Sequence, residues 1–261
     1  MSAVANALTS AAVAIVVLML CTWVLSVIVK NASIVDITWG LGFAVVAWVV
    51  RLRVDGLSMR QNLLVGMTSI WGLRLAGYLA WRNIGKGEDY RYVAMRRHYG
   101  VRFPIISLAT VFGLQGVLMF VVSLPVQLGQ TRHDPSVGVL AWVGVAIWTI
   151  GLFFEGVGDL QLAAFKANQA NKGMVMNTGL WKYTRHPNYF GDSCVWVGIA
   201  VVAAETTVGR WGLVGPVLMT YLLVRVSGKA LLERGLRKRK PGYDEYVART
   251  SGFFPLPPKK A

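Results

Sequence analysis

The densest run of chemically capable side chains is residues 177–192, NTGLWKYTRHPNYFGD. Tyr183, Arg185, His186, Asn188 and Tyr189 place a guanidinium, an imidazole, an amide and two phenols around Pro187, with Asp192 close behind. Proline suits the first turn of a helix. A helix N-terminus with Arg and His beside it is a ready site for a phosphate. Glu155 and Asp159 stand four residues apart, ahead of Lys166. On a helix they share a face and repel unless cations or hydroxyl and amide donors meet them. Arg74 has Trp71 three residues before it and Tyr78 four residues after it on the same face. Asp36 likewise shares a face with Trp39. Each has a plainer reading: Asp36 as a helix cap, Arg74 as a snorkelling cation, and Glu155 with Asp159 as a solvated helix end. Near the C-terminus Glu233, Tyr243 and Tyr246 could close over a polar ligand. The Arg237–Lys240 run between them reads as a face for lipid headgroups or solvent. His98, His133 and His186 are far apart, and Cys21 and Cys194 lie in apolar runs, so no metal set or disulfide framework can be read. There is no phosphate loop, dinucleotide-binding glycine motif or Ser-His-Asp arrangement.

These residues sit in a chain that is 55% hydrophobic and only 15% charged. Its apolar residues gather into runs near the ~20 residues that cross a hydrocarbon core. The runs predict seven transmembrane helices near 8–29, 34–50, 62–81, 104–125, 137–157, 191–207 and 212–228. The fifth continues to about Lys166, because 158–166 stays helical in character while turning polar. The first run is too long and too poorly flanked for a cleaved signal peptide. No internal repeat appears, so a single all-α transmembrane domain is expected.

The cations give the orientation. If all seven runs span, one side carries 20 Lys and Arg residues and the other five: Arg51, Arg53, Arg60, Arg132 and Arg210. The rich side holds the 82–103 and 158–190 loops and the tail, which places them in the cytoplasm and the N-terminus outside. The net charge of +15 is therefore read as an orientation signal and a preference for anionic ligands and membrane lipids, not nucleic acid. Short loops suggest a bacterial inner membrane protein whose site opens to the cytoplasm. A monomer is expected.

The block TGLWKYTRHPNYFGD, then a seventh helix, Glu233 and DEYVARTSGFFPLPP, resembles the C-terminal domain of the steroid 5α-reductase family. It is also similar to the broader group of membrane reductases and methyltransferases with an RHPxYxG block. SIVDITWG and WGLRLAGYLAWR resemble the uncharacterised bacterial relatives of that reductase family, so the likeness spans most of 31–257. It implies seven spans, with helices of about 31–125 on the substrate side and about 137–257 as the cofactor-binding half, a cytoplasm-facing NADPH pocket and reduction of a Δ4-3-oxo steroid or a similar hydrophobic enone. By this resemblance Glu155 and Asp159 match a cofactor-contacting Asn/Asp pair on the fifth helix. Arg74 and Tyr78 match an Arg-x-x-x-Tyr on the third. Asn188 matches the Asn that begins the sixth helix and holds the nicotinamide side, and Asp192 matches a Glu. Asp36 lies where the animal enzymes carry a Gln-Glu pair on the substrate carbonyl, and Trp71 stands at the position of a substrate-side Tyr. The catalytic set is then Asp36, Trp39 and Trp71, with Asp36 expected as a buried, protonated acid that stabilises the enolate. The rival reading is an S-adenosylmethionine-dependent membrane methyltransferase of the isoprenylcysteine or phospholipid type, which shares the RHPxYxG block.

Overall fold

The computed structural model describes residues 2–54, 56, 58–132, 136–226 and 229–259. His133 lies outside them. Every regular element among them is helical. Among the described residues five helical segments are long and apolar enough to cross a membrane: α1 (Ala3–Ile28), α2 (Ile34–Arg53), α3 (Met59–Asn83), the stretch Tyr90–Val122 and α8 (Val139–Ala167). The stretch Tyr90–Val122 comprises α4 (Tyr90–Tyr99), a 3-10 turn, α5 (Phe103–Ser107), a π-helical turn over Leu108–Gly113 and α6 (Leu114–Val122). It begins well before the run expected from residue 104, because Asp89 caps α4 by accepting from the Arg91 amide. A short α7 (Leu124–Gly129) follows α6.

The expected sixth and seventh spans are shorter. α9 (Pro187–Ala203) has 17 residues and starts four residues earlier than the apolar run. Pro187 opens it, so the polar NYFGD belongs to the helix rather than to a loop. α10 (Val214–Tyr221) continues as a π-helical turn over Leu222–Val226. Two surface helices complete the chain, α11 (Lys229–Arg239) and α12 (Tyr243–Arg249).

The chain forms two compact units. One comprises Met1–Trp142 and Ile199–Gly215, the other Val143–Gly198 and Pro216–Ala261. In the first unit α2 and α3 cross where neither carries a side chain. A Cβ on Gly40 would lie 2.5 Å from the Gly72 carbonyl oxygen, and one on Gly72 would lie 2.4 Å from that of Gly40. Small residues let helix backbones meet in the absence of a hydrophobic driving force between them. α3 opens with a reciprocal capping box between Ser58 and Gln61. Behind it Arg60, 2% exposed, donates to the Gly129 and Arg132 carbonyls and faces Glu205 at 4.0 Å.

In the second unit α8 and α9 meet along glycines in heptad register. Gly144, Gly151 and Gly158 recur every seven residues on α8, and Gly191 and Gly198 do so on α9. A Cβ on Gly191 would stand 2.4 Å from the Glu155 amide nitrogen and 2.5 Å from the Gly151 carbonyl oxygen. These are backbone atoms on a neighbouring helix and cannot swing aside. Gly191→Val is therefore expected to force the two helices apart at a cost of ~3 kcal/mol or more, the upper range for overpacking. Thermal unfolding in mild detergent measures it. An unchanged midpoint would show that the crossing is loose.

Candidate functional site

The chemically capable residues fall into two groups, one in each unit. In the first unit the group forms where α2 begins. Ser33 Oγ accepts from the Asp89 amide at 2.6 Å, and Glu88 accepts from the Ala32 amide at 2.7 Å. Arg96 grips Glu88 through two hydrogen bonds of 2.8 and 2.9 Å. Burial pushes the Glu88 carboxyl up, but the hydrogen bonds from Arg96 and Ala32 outweigh it and hold it below its ordinary value. The 88–92 segment is thereby fastened onto α2, and it delivers two side chains to Asp36. Arg91 Nη2 donates to Asp36 Oδ2 at 2.9 Å, and the Tyr92 hydroxyl donates to Asp36 Oδ1 at 2.9 Å. Arg91 also donates to Asp89, and Gln115 reaches the Tyr92 oxygen at 3.5 Å. Tyr92 is 6% exposed.

This geometry gives Asp36 two partners. Each of its oxygens accepts one hydrogen bond, from the Arg91 guanidinium and from the Tyr92 hydroxyl, and Tyr92 adds a second group with a proton to give. Asp36 is not the cap of α2, since that helix shows no side-chain cap. Trp39 meets Phe43 edge-on at 5.0 Å, and Phe43 meets Trp71 at 5.5 Å. Trp71 is wholly buried. Trp39, Phe43 and Trp71 thus form one run of aromatic contacts between α2 and α3. On α3 the half-buried Tyr78 packs beside Trp81, with the Arg82 guanidinium 5.8 Å from its ring centre. Arg74 lies one turn earlier and is also half-buried.

In the second unit the block around Pro187 is held by the C-terminal segment. The Arg185 amide donates to the Ser251 carbonyl, Thr184 Oγ1 to that of Phe253, and the Leu256 amide to that of Tyr183. The Arg185 guanidinium donates to both Glu233 oxygens and to the Val247 and Thr250 carbonyls. His186, with its proton on Nε2, donates to Glu233 at 3.0 Å and stacks flat on Tyr189. Burial keeps His186 below its ordinary pKa and so neutral. Glu233 is pushed up by burial, yet the His186 and Arg185 hydrogen bonds bring it down to about 2. Arg185 and Glu233, read from the sequence as groups facing a ligand, are engaged with each other and with the tail. Tyr246 donates to the Trp181 carbonyl, and Tyr243 packs against it. Burial pushes the Tyr243 phenol up to about 12, so it stays protonated.

The polar face of the α8–α9 crossing lies beside this clamp. Asn188 Nδ2 donates to Asp159 at 3.1 Å. Glu155, Asp159 and Asp192 are 3%, 6% and 9% exposed. Lys166, at the end of α8, and Tyr183 are exposed, and Lys229 reaches Gly252. Buried carboxylates with an amide among them suit a ligand that offers hydroxyl and amide donors, and the exposed lysines suit its anionic part. Among the described residues no group of three or more His, Cys, Asp or Glu side chains is placed to hold a metal ion.

Residues 22–250 match the family described as protein of unknown function DUF1295. The chain belongs to the DUF1295 family. This family is related to steroid 5-alpha-reductase-like and methyltransferase-like membrane proteins. The DUF1295 chain is 23% identical to an uncharacterised protein of Schizosaccharomyces pombe over 89% of its own length and 75% of that protein's. It is 27% identical to the nickel-cobalt-cadmium resistance protein NccN of Alcaligenes xylosoxydans xylosoxydans, over 62% of this chain and 74% of that one. It is 25% identical to the protein named "Probable O-methyltransferase ustE" of Ustilaginoidea virens, over 49% of this chain and 38% of that one. No solved structure matches it. The DUF1295 chain's Tyr92 and Arg91 escaped the sequence reading because they lie more than fifty residues from Asp36 in a basic stretch. The signal that could have found them is DYRY at 89–92, an acid followed by alternating aromatic and cationic residues at a helix start.

Proposed function

We propose that this protein is an NADPH-dependent membrane reductase that saturates the carbon–carbon double bond of a hydrophobic enone, such as a Δ4-3-oxo steroid. The reading includes seven spans, the N-terminus outside and the site open to the cytoplasm of a bacterial cell. The observation that carries it is the pair formed by the buried Tyr92 phenol and the half-buried Asp36 carboxylate, backed by Arg91. Adding hydride to the β-carbon of an enone builds negative charge on the carbonyl oxygen, and a fixed O–H donor there lowers the barrier. In the proposed reaction the Tyr92 hydroxyl turns from Asp36 to that oxygen. Asp36, neutralised by Arg91, orients the phenol and accepts its hydrogen again when product leaves. Trp39, backed by the buried Phe43, offers an apolar wall to the substrate. The α-carbon takes its proton from water or a tyrosine.

When bound, NADPH supplies the hydride. Asn188, Asp159, Glu155 and Asp192 would hold its amide and hydroxyl donors, and Lys166 and Lys229 its phosphates. The resemblance adds Arg74 and Tyr78. Binding of NADPH in preference to NADH is expected, together with weaker binding in Arg74→Ala and Asn188→Ala variants that remain folded. Titration of the detergent-purified protein with each nucleotide tests this. Equal affinity for the two would sink the phosphate argument, and wild-type affinity in a variant would remove that residue from the site.

A second reading has one finding in its favour, the similarity to a protein named as an O-methyltransferase. Buried carboxylates can also meet the ammonium and ribose of S-adenosylmethionine. Tight binding of S-adenosylmethionine without any of NADPH would replace the first reading by this one. The Tyr92–Asp36 pair favours the reductase, because methyl transfer leaves no oxyanion for a phenol to stabilise.

A further inference from the structure

A groove of about 570 Å³ runs along the outside of the first unit between α1 and α2. Val13, Val17 and Cys21 of α1 form one wall, and Val45 and Val49 of α2 form the other, with Arg53 closing the end. Thr9 and Ser10 face Arg53 across that end. The lining is graded: hydroxyls and a guanidinium at one end, small or branched apolar side chains for the rest. From Thr9 to Cys21 the wall rises ~18 Å at ~1.5 Å per residue. That is close to one leaflet, half of a hydrocarbon core of ~30 Å. The backbone of Arg53 is held at this end, since Asn6 Nδ2 donates to its carbonyl at 2.8 Å. Among the described residues no acidic side chain pairs with the Arg53 guanidinium. Valines have few rotamers, so the wall keeps its shape instead of filling the trough itself.

We infer that this groove is a binding site for one phospholipid of the leaflet on the N-terminal side of α1, with its phosphate on Arg53 and one acyl chain along Val13, Val17, Val45 and Val49. The occupant is a phospholipid and not a soluble anion, because a single exposed guanidinium binds phosphate weakly in water. Here the apolar trough directly below it adds the burial of a whole chain. An extended protein segment would leave unpaired backbone polar groups facing hydrocarbon, which an acyl chain does not. The site is separate from the residues assigned to the reaction.

Native mass spectrometry of delipidated protein tests the inference, with dimyristoyl phosphatidylglycerol and the matching uncharged diacylglycerol as probes. The wild type is expected to take up one phosphatidylglycerol at least fivefold more tightly than the diacylglycerol. Arg53→Gln should abolish that preference. Val17→Trp, at an exposed position where the fold does not depend on size, should fill the trough and weaken both adducts at least fivefold. Arg210→Gln, which removes an exposed cation of the same unit outside the groove, should change neither. Melting of each variant in detergent shows that it is folded. Equal binding of the two lipids by the wild type, an undiminished preference in Arg53→Gln, undiminished adducts in Val17→Trp, or the same loss in Arg210→Gln would each overturn the assignment.

Discussion

Replacing Tyr92 by Phe is expected to lower enone reduction by about a hundredfold to a thousandfold, the scale of losing one oxyanion donor. The ring is kept, so the packing of the 6%-exposed side chain survives and NADPH affinity should stay at the wild-type level. Asp36→Asn should be less damaging at first sight, since an amide still accepts from the Tyr92 hydroxyl. It also removes the charge that Arg91 pairs with, so the phenol is held less firmly and turnover should fall by about tenfold, well short of the Tyr92 effect. The assay is NADPH consumption with progesterone or testosterone, with the product confirmed by mass. Were Asp36→Asn inactive and Tyr92→Phe fully active, the acid would be Asp36 after all. Activity of the wild type on another hydrophobic enone but not on steroids would keep the mechanism and change the substrate.

The second large effect concerns folding. Arg185→Met should destabilise the protein by about 3–5 kcal/mol, the range for breaking a buried pair by removing one partner. Glu233 would keep only His186, and the Val247 and Thr250 carbonyls would lose their shared donor. Lysine should not rescue it, because it lacks the planar fork that meets two carboxylate oxygens at once. The double variant Arg185→Met, Glu233→Met should recover part of the loss, since no charge is then left buried.

The pH response has a definite sign. Glu233 is held at about 2 in the fold against 4.5 in the unfolded chain, so its contribution is complete above about pH 4.5 and is lost as pH falls toward 2. His186 lies below its ordinary 6.5, so acid favours the unfolded chain, which takes up that proton first. The His186 term makes the wild type melt at lower temperature as pH falls below about 6.5, and the Glu233 term adds to it below about 4.5. A melting temperature that rises on acidification would contradict the clamp.

Much of the scaffold was legible in the residues. A span is a local property: α1, α2, α3 and α8 each follow from an apolar run, and the polar 158–166 stretch continued α8 as expected. Pro187 marked the true start of α9, although hydropathy placed it four residues later, because a proline fixes a helix start while hydropathy reports only solvent preference. The concentration of polar groups in 177–192 marked the region that Glu233 and the C-terminal segment clamp. The site residues themselves were another matter. Whether Asp36 is an acid, a cap or an acceptor depends on Arg91 and Tyr92, which chain closure brings to it from more than fifty residues away. Arg185 read as a phosphate ligand until Glu233 arrived from 48 residues downstream. The residue types alone determined where helices cross hydrocarbon and which side chains can carry charge. Only the tertiary structure decided which charge meets which, because the protonation and task of a titratable group are set by neighbours within a few ångströms, and those neighbours are chosen by packing.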